Sequence, residues 1–325
     1  MSVRVLITGS SGQIGTNLGL RLLELGHEVL GLDRRPNTWT DRIPMVDFDL
    51  TRPLAELEAA LAGARWDVLV HLAAHAKVHE LVVRPERALE NVVHTWNVLE
   101  LARSRGTPLV FGSSREAYGD VADAFTSEDR RVVAKSPYSA SKISGEAFVR
   151  SYAYCYGLPT LTYRFSNVYG RYDNDLERME RVMPLFMREI AAGREVTVFG
   201  REKVLDFTYV DDCVSAVISG LLLLYRGEVA DETINVAAGR GSSLLDLARY
   251  VGEALGVSPR VRVLPSRAGE IHRYVADISK ARRLLGYEPT TFLPEGVEKA
   301  VAWSGLRASR EALAQEGWIR EGEGA

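Results

Sequence analysis

The sequence predicts an α/β fold: a doubly wound parallel sheet with a smaller C-terminal α/β substrate domain. Three observations lead there. Strand-like and helix-like segments alternate through the first half of the chain. A glycine-rich turn stands between the first strand and the first helix. Beyond Gly170 the alternation gives way to charged and mixed segments that read as a second, smaller unit.

Val3-Arg4-Val5-Leu6-Ile7 is a largely apolar run and reads as the first strand. Thr8-Gly9-Ser10-Ser11-Gly12-Gln13-Ile14-Gly15 comes next and opens a helical segment that stops at Gly26. The next apolar run, residues 28–32, ends at Asp33. A strand, a glycine turn, a helix, a second strand and an acid within about 30 residues suit a dinucleotide. Backbone can approach the pyrophosphate, a helix N-terminus faces its charge, and a carboxylate can hold ribose hydroxyls. Further strands are expected at 45–47, 68–72, 107–112 and 158–164, and helices at 13–25, 53–62, 85–105 and 139–156. This alternation gives a parallel sheet covered on both faces, with ligands at the carboxyl ends of its strands. The loops after Ile7, Leu32, Asp47, Leu72 and Gly112 should therefore form one rim.

The second half carries a charge-dense stretch, 173–181, then strand-like runs at 196–199 and 234–236 and a helix at 244–255. Residues 317–325 read as a frayed tail. The expected partition is a nucleotide-binding domain of 1–166 and 205–237 and a substrate domain of 167–204 and 238–325.

Composition excludes several classes. The net charge of −3 over 325 residues offers no basic surface for nucleic acid. The longest apolar run, 214–225, is interrupted by Ser215, Ser219 and Gly220 and reads as a buried helix rather than a membrane span. The first strand begins at once, leaving no room for a signal peptide. The two cysteines, Cys155 and Cys213, read as reduced, partly buried thiols of a cytoplasmic protein. No His/Cys cluster suggests a metal.

Tyr138 and Lys142 are four residues apart behind Pro137, so a helix starting there presents both on one face. An ammonium near a phenol stabilises the phenolate, which can then accept a proton near neutral pH. Ser114 ends the strand-like run before it and supplies a hydroxyl on the same rim.

These marks, with His71-Leu72-Ala73-Ala74, Tyr118-Gly119, Arg164-Phe165-Ser166-Asn167-Val168-Tyr169-Gly170, Val210-Asp211-Asp212, Asn235 and Arg267-Ala268-Gly269-Glu270, resemble the sugar-nucleotide epimerase/dehydratase family of the extended short-chain dehydrogenase/reductase superfamily. The resemblance covers nearly the whole chain. It implies a Rossmann-type fold, NAD as cofactor, a UDP-sugar as substrate and a homodimer paired through the helices at 85–105 and 139–156. Within it Ser114, Tyr138 and Lys142 would be catalytic. Gly9, Ser11, Gly12, Gln13, Ile14 and Gly15 would contact the pyrophosphate, Asp33 the adenosine ribose, and Asp49 and Leu50 the adenine. Leu72, Ala73 and Ala74 would line the cofactor wall with Asn91 behind it. Asp33 favours NAD over NADP, because a 2′-phosphate would meet a carboxylate, although Arg34 and Arg35 could attract that phosphate. Asn167 and Arg267 would serve the substrate diphosphate, Glu270 the uridine ribose, and Tyr274 would border the hexose and limit its size.

Family members share oxidation at the sugar C4 and differ in the fate of the 4-keto sugar. The segment Ser114-Arg115-Glu116 decides among them. Dehydratases have an Asp where Arg115 stands, and a guanidinium has no acid form near neutral pH. Glu116 matches a decarboxylase position. The surrounding motifs are closer to hexose 4-epimerases, which makes UDP-glucose/UDP-galactose 4-epimerisation the first reading and action on UDP-glucuronate the alternative. One departure stands out: Leu205 occupies the place of a second diphosphate-binding Arg, with Lys203 or Arg201 as candidates to compensate.

Overall fold

The computed structural model describes residues 2–121, 123–173, 181–266, 271–307 and 319–321. The chain opens with β1 (Arg4–Thr8), α1 (Gln13–Glu24), β2 (Glu28–Asp33), β3 (Met45–Asp47), α2 (Leu54–Ala60) and β4 (Val68–His71). It continues through α3 (Val78–Val83), α4 (Glu86–Arg105), β5 (Leu109–Ser114), a single 3₁₀ turn at Arg115–Tyr118, α5 (Pro137–Tyr156), β6 (Thr160–Phe165) and β7 (Asn167–Tyr169). Then come α6 (Val182–Ala191), β8 (Val196–Phe199), β9 (Val204–Tyr209), α7 (Val210–Tyr225) and β10 (Glu232–Val236). The last elements are β11 (Gly241–Ser243), α8 (Leu244–Leu255), β12 (Val261–Leu264), α9 (Ser279–Leu285), α10 (Leu293–Ser304) and β13 (Ile319–Glu321).

Seven strands form the main sheet in the order β10-β6-β5-β4-β1-β2-β3. Every neighbouring pair in it is parallel. Every residue of β4, β5 and β6 is buried, as a sheet covered on both faces demands. One face packs on α1 and α7 through Leu18, Leu22, Val214 and Leu221. The other packs on α2, α4 and α5 through Leu57, Val98, Leu101 and Val149. The strand order reverses between β1 and β4, so the loops after these two strands part and leave a crevice.

Two three-stranded sheets, β11-β9-β7 and β13-β12-β8, belong to the smaller part. Its core gathers Tyr169, Phe186, Val198, Phe207, Leu247 and Val297. The cores do not follow the expected partition at every point. Leu205, Phe207 and Tyr209 pack in the smaller core, whereas Ile271, Tyr274, Ile278 and Tyr287 pack in the larger one. Trp39 from the loop after β2, Tyr172, and Trp303 of α10 meet at tilted to edge-on angles, with ring centroids 5.3 to 5.6 Å apart.

Short elements escape the sequence pattern: α3, β7 and β11 have six residues or fewer, too few to show a period. The two cysteines, expected to be partly buried, diverge: Cys213 is fully buried and Cys155 is exposed. It lies in the last turn of α5 beside Tyr154 and Tyr156, both exposed, on the side turned from the sheet.

Gly220 sets how closely α7 approaches the sheet. A Cβ there would sit 1.7 Å from the Tyr163 hydroxyl oxygen. That hydroxyl makes only a long bond, 3.4 Å, to the Ala216 carbonyl. Gly220→Ala should therefore cost about 1–3 kcal/mol of stability, and adding Tyr163→Phe should return most of it. Denaturant midpoints of the single and double variants measure both; a double variant no better than Gly220→Ala would place the clash elsewhere.

Candidate active site

The crevice at the switch point opens into a cavity of about 730 Å³. Its floor is the turn from β1 into α1. Gly9 has φ +76°, and a Cβ there would lie 2.6 Å from the Ala73 backbone nitrogen. A Cβ on Gly15 would lie 2.3 Å from the Gly9 carbonyl oxygen. The turn thus packs against the loop after β4 on one side and against its own helix on the other, which only glycine allows. At its edge the Ser11 N–H donates to one Asp33 oxygen and the Arg35 N–H to the other, each at 3.1 Å. Burial raises the Asp33 carboxyl above its usual range, while these N–H groups and the two arginines pull it back. Asp49, Leu50 and Arg34 extend this end of the cavity, with Arg34 at 3.5 Å from Asp49.

Leu72, Ala73 and Ala74 form the wall after β4. Asn91 of α4 stands behind it, accepting from the His75 N–H at 2.7 Å and donating to the His75 carbonyl and the Ser141 hydroxyl at 3.1 Å. A glycine cradle, a carboxylate at the end of β2 and an apolar wall fit a dinucleotide. Gly9, Gly12, Gln13, Ile14 and Gly15 line this space, whereas the Ser11 hydroxyl turns away to the Arg35 carbonyl at 2.8 Å.

The opposite wall comes from β5 and α5. Ser136 and Ser139 cap α5 reciprocally and Pro137 fills its first turn, which fixes where Tyr138 starts the helix. Ser114 accepts from the Glu116 N–H at 3.2 Å, and its hydroxyl lies near enough to the Tyr138 phenol to favour the phenolate. Burial pushes the Tyr138 phenol up to about 12, against the pull of Ser114, Arg181 and Arg115. Lys142 shares its face, but its ammonium donates to the Gly112 carbonyl at 2.7 Å instead of to the phenol. Burial pushes that ammonium down to about 8, and Glu146 one turn on opposes the shift. Glu146 is itself buried and doubly bonded by Arg164 at 2.9 and 2.7 Å. Spacing therefore reads the shared face of Tyr138 and Lys142 correctly, but the direct ammonium–phenol contact is absent.

Beyond Ser114 the two side chains that separate the reactions lie together. Arg115 pairs with Glu116 at 2.9 Å and donates to Asn167 at 3.2 Å, and all three line the cavity. Asn167 in turn donates to the Asp206 carbonyl at 3.0 Å. Tyr274 does not border this space. Its ring is wholly buried, stacked on Tyr118 at 5.7 Å and lying under Arg115 at 5.8 Å, so Arg115 and not Tyr274 lines the cavity here. Leu205 is buried in the smaller core, and neither Lys203 nor Arg201 lines the cavity. Arg267 and Glu270 lie outside the described residues. Sequence reasoning passed over Arg181 and His94, which do line the cavity; the only signals were a cation just before Val182-Met183-Pro184 and a His amid the apolar pattern of α4.

A doubly wound fold with a glycine cradle, and a Ser/Tyr/Lys wall across one cavity from it, defines a nucleotide-dependent enzyme of the short-chain dehydrogenase type. A family model described as "NAD dependent epimerase/dehydratase family" matches residues 5–237, and the chain belongs to that family. Its cofactor is NAD. A UDP-glucose 4-epimerase of Mycolicibacterium smegmatis is 34% identical over 312 residues, covering 92% of this chain and 97% of the relative. A probable UDP-glucuronate 4-epimerase of Rhizobium meliloti is 29% identical, covering 93% and 96%. The crystal structure of Thermus thermophilus UDP-glucose 4-epimerase in complex with NAD matches with a TM-score of 0.85 at 30% identity, covering 92% of this chain and 98% of that one.

His94 gives this end of the cavity a pH signature. Its ring is buried, 5.9 Å from His75, and neither nitrogen has a hydrogen-bond partner among the described residues. Burial first, then His75, holds the imidazole down at about 4, against Asp49. As pH falls from about 6.5 toward 4, the unfolded chain takes up a proton that the folded one refuses, so stability is lost in that window. His94→Asn should remove this contribution, and wild type should lose up to about 3 kcal/mol more than the variant between pH 7 and 4. Denaturation midpoints across that range check it; parallel curves would show that His94 protonates freely in the fold.

Proposed function

We propose that the protein is a UDP-hexose 4-epimerase that interconverts UDP-glucose and UDP-galactose. The observation that carries this reading is the pairing of Arg115 with Glu116 beside Ser114. Dehydration needs a carboxylic acid where Arg115 stands, and a guanidinium cannot donate a proton there. The next carboxylate, Glu116, is neutralised by that same guanidinium, which argues against its acting as a free group in decarboxylation. What is left is reversible oxidation at C4, the step the Ser/Tyr/Lys wall suits.

NAD when bound supplies the hydride acceptor and a positively charged ring. Tyr138 takes the proton from the sugar O4, and Ser114 holds that oxygen in line with the phenol. The phenol rests at about 12 even with Arg181 and Arg115 pulling it down, too high for a base at neutral pH, so the positive charge of the bound cofactor's ring would have to stabilise the phenolate further. Lys142 braces the end of β5 through the Gly112 carbonyl and adds its charge to the same wall. Tyr138 returns the proton after the sugar has turned its other face. Asp33 holds the adenosine ribose, Asp49 and Leu50 the adenine, and Asn167 the diphosphate region of the substrate.

Incubation with UDP-galactose should yield UDP-glucose on chromatography, with no steady rise in NADH absorbance. Tyr138→Phe should lower turnover about 10²- to 10⁴-fold while NAD stays bound. Continuous NADH production, or no interconversion, would overturn the reading. A second reading, action on UDP-glucuronate, draws on the Arg115 guanidinium beside Ser114, which could receive a carboxylate at C5, and on the similarity to a probable UDP-glucuronate 4-epimerase. The same assay with UDP-glucuronate separates the two by product and by carbon dioxide release.

The reading includes a homodimer. Leu89, Val93 and Trp96 form an exposed stripe along α4, and Phe148 is exposed on α5, which packs beside it. Trp96→Asp should yield a monomer by sedimentation equilibrium where wild type is a dimer; a wild-type monomer would remove this part of the reading.

A further inference from the structure

A UDP-sugar carries a diphosphate, and a cavity that takes one needs cations where its two charges settle. The place expected to supply one of them holds Leu205, buried in the smaller core. Among the described residues two cations reach the side of the cavity near Val168, Tyr169 and Phe207: Arg115, already paired with Glu116 and donating to Asn167, and Arg181. It stands at the N-terminus of α6, and its guanidinium is held from one end. Nη1 donates to the Gln13 side chain at 2.5 Å, to the Val168 carbonyl at 3.1 Å and to Asp173 at 3.2 Å. Nε and Nη2 make no hydrogen bond to the described residues, and the side chain is 31% exposed. Among the described residues the Nε–Nη2 edge, the geometry that grips an oxyanion with two parallel bonds, is without a partner, and Arg181 lines the cavity.

The surroundings fix this posture. Gln13 opens the first turn of α1 within the glycine cradle, and its side chain donates to the Arg171 carbonyl at 3.3 Å while accepting from Arg181. Asp173 is buried, and burial holds its carboxyl up at about 6 against the pull of Arg181, so near neutral pH it is mostly ionised and anchors the Nη1 end of the guanidinium. Arg181 also stabilises the charged form of Tyr138 across the cavity, which puts its charge between the cofactor cradle and the proton acceptor.

We infer that Arg181 grips the diphosphate of the nucleotide-sugar substrate through its Nε–Nη2 edge, taking the part that Leu205 cannot fill. The inference rests on the UDP-sugar reading. Gln13, Val168 and Asp173 position the guanidinium, and the substrate's phosphate oxygens accept its two remaining donors. Arg181 therefore links occupancy of the substrate site to the turn that holds the cofactor.

Calorimetric titration of the NAD-loaded enzyme with UDP and with uridine tests it, in wild type, Arg181→Gln and Arg181→Lys. Arg181→Gln should weaken UDP about 10- to 100-fold, the scale of one charge-assisted bidentate contact, and leave uridine within about twofold. Arg181→Lys should recover part of the loss, since it restores the charge but not the fork. Bound NAD and the melting temperature, measured on the same samples, report any general damage. Unchanged UDP affinity in Arg181→Gln, or equal losses for UDP and uridine in both variants, would overturn the role of Arg181. Loss of NAD with UDP affinity retained would overturn it too, by assigning the guanidinium to the cofactor. Failure of wild type to bind UDP at all, with NAD in place, would instead overturn the UDP-sugar reading beneath it.

Discussion

One buried carboxylate holds the reactive wall in place. Glu146 lies on α5 one turn after Lys142, with its side chain about 1% exposed. It accepts from Ser113 of β5 at 2.6 Å and from the Nε–Nη2 edge of the Arg164 guanidinium of β6. Arg164 reaches on to the Glu128 carbonyl and lies over the Tyr118 ring. Two neighbouring strands and the helix that carries Tyr138 are thereby joined through a single acid. Removing one member of such a buried pair commonly costs about 3–5 kcal/mol, because the other charge is left without a partner. The residue before Ser114 is one of its ligands, so the register of Ser114 against Tyr138 depends on it.

The opposite side of the cavity depends on contact without side chains. The β1–α1 turn lies so close to Ala73 and to its own carbonyl at Gly9 that a single methyl group on Gly9 or Gly15 would collide with backbone. Backbone cannot move aside as a flexible side chain can, so the cradle has one shape. Electrostatics differ between the two sides. The cradle offers N–H groups and a carboxylate at its edge, whereas the far wall offers buried groups whose charged forms are disfavoured: a phenol pushed up and an ammonium pushed down. Because both groups are buried, charge brought beside them by ligands acts on them more strongly than it would in water.

Much of this was legible in the sequence for physical reasons. The strands of a parallel sheet are continuous apolar runs, so those of the main sheet fall within two residues of where periodicity puts them. Glycines at a strand–helix turn and a Tyr/Lys pair at helical spacing mark positions that backbone geometry alone determines. Side-chain direction is another matter. Spacing places Lys142 on the face of Tyr138 but does not reveal that its four-carbon stem carries the ammonium to the Gly112 carbonyl. Nor does it reveal that the Ser11 hydroxyl turns to Arg35, or that Tyr274 packs beneath Arg115 and away from the cavity. Arg181 escaped for a similar reason: its neighbours Gln13 and Asp173 are distant or ambiguous in sequence, and only the fold brings them together. The division into two cores was legible in outline, but β9 sits in the smaller core because it pairs with β7 and β11 across the chain.

The aromatic cluster of Trp39, Tyr172 and Trp303 joins the loop after β2 to α10 of the smaller part, with the two indoles 5.6 Å apart. Indole emission responds to neighbouring rings and to water at such short range. The protein therefore carries its own optical gauge at the seam between its two cores. Opening or closing by an ångström or two as ligands enter would register as a change in intrinsic fluorescence, with no label attached and no reaction taking place.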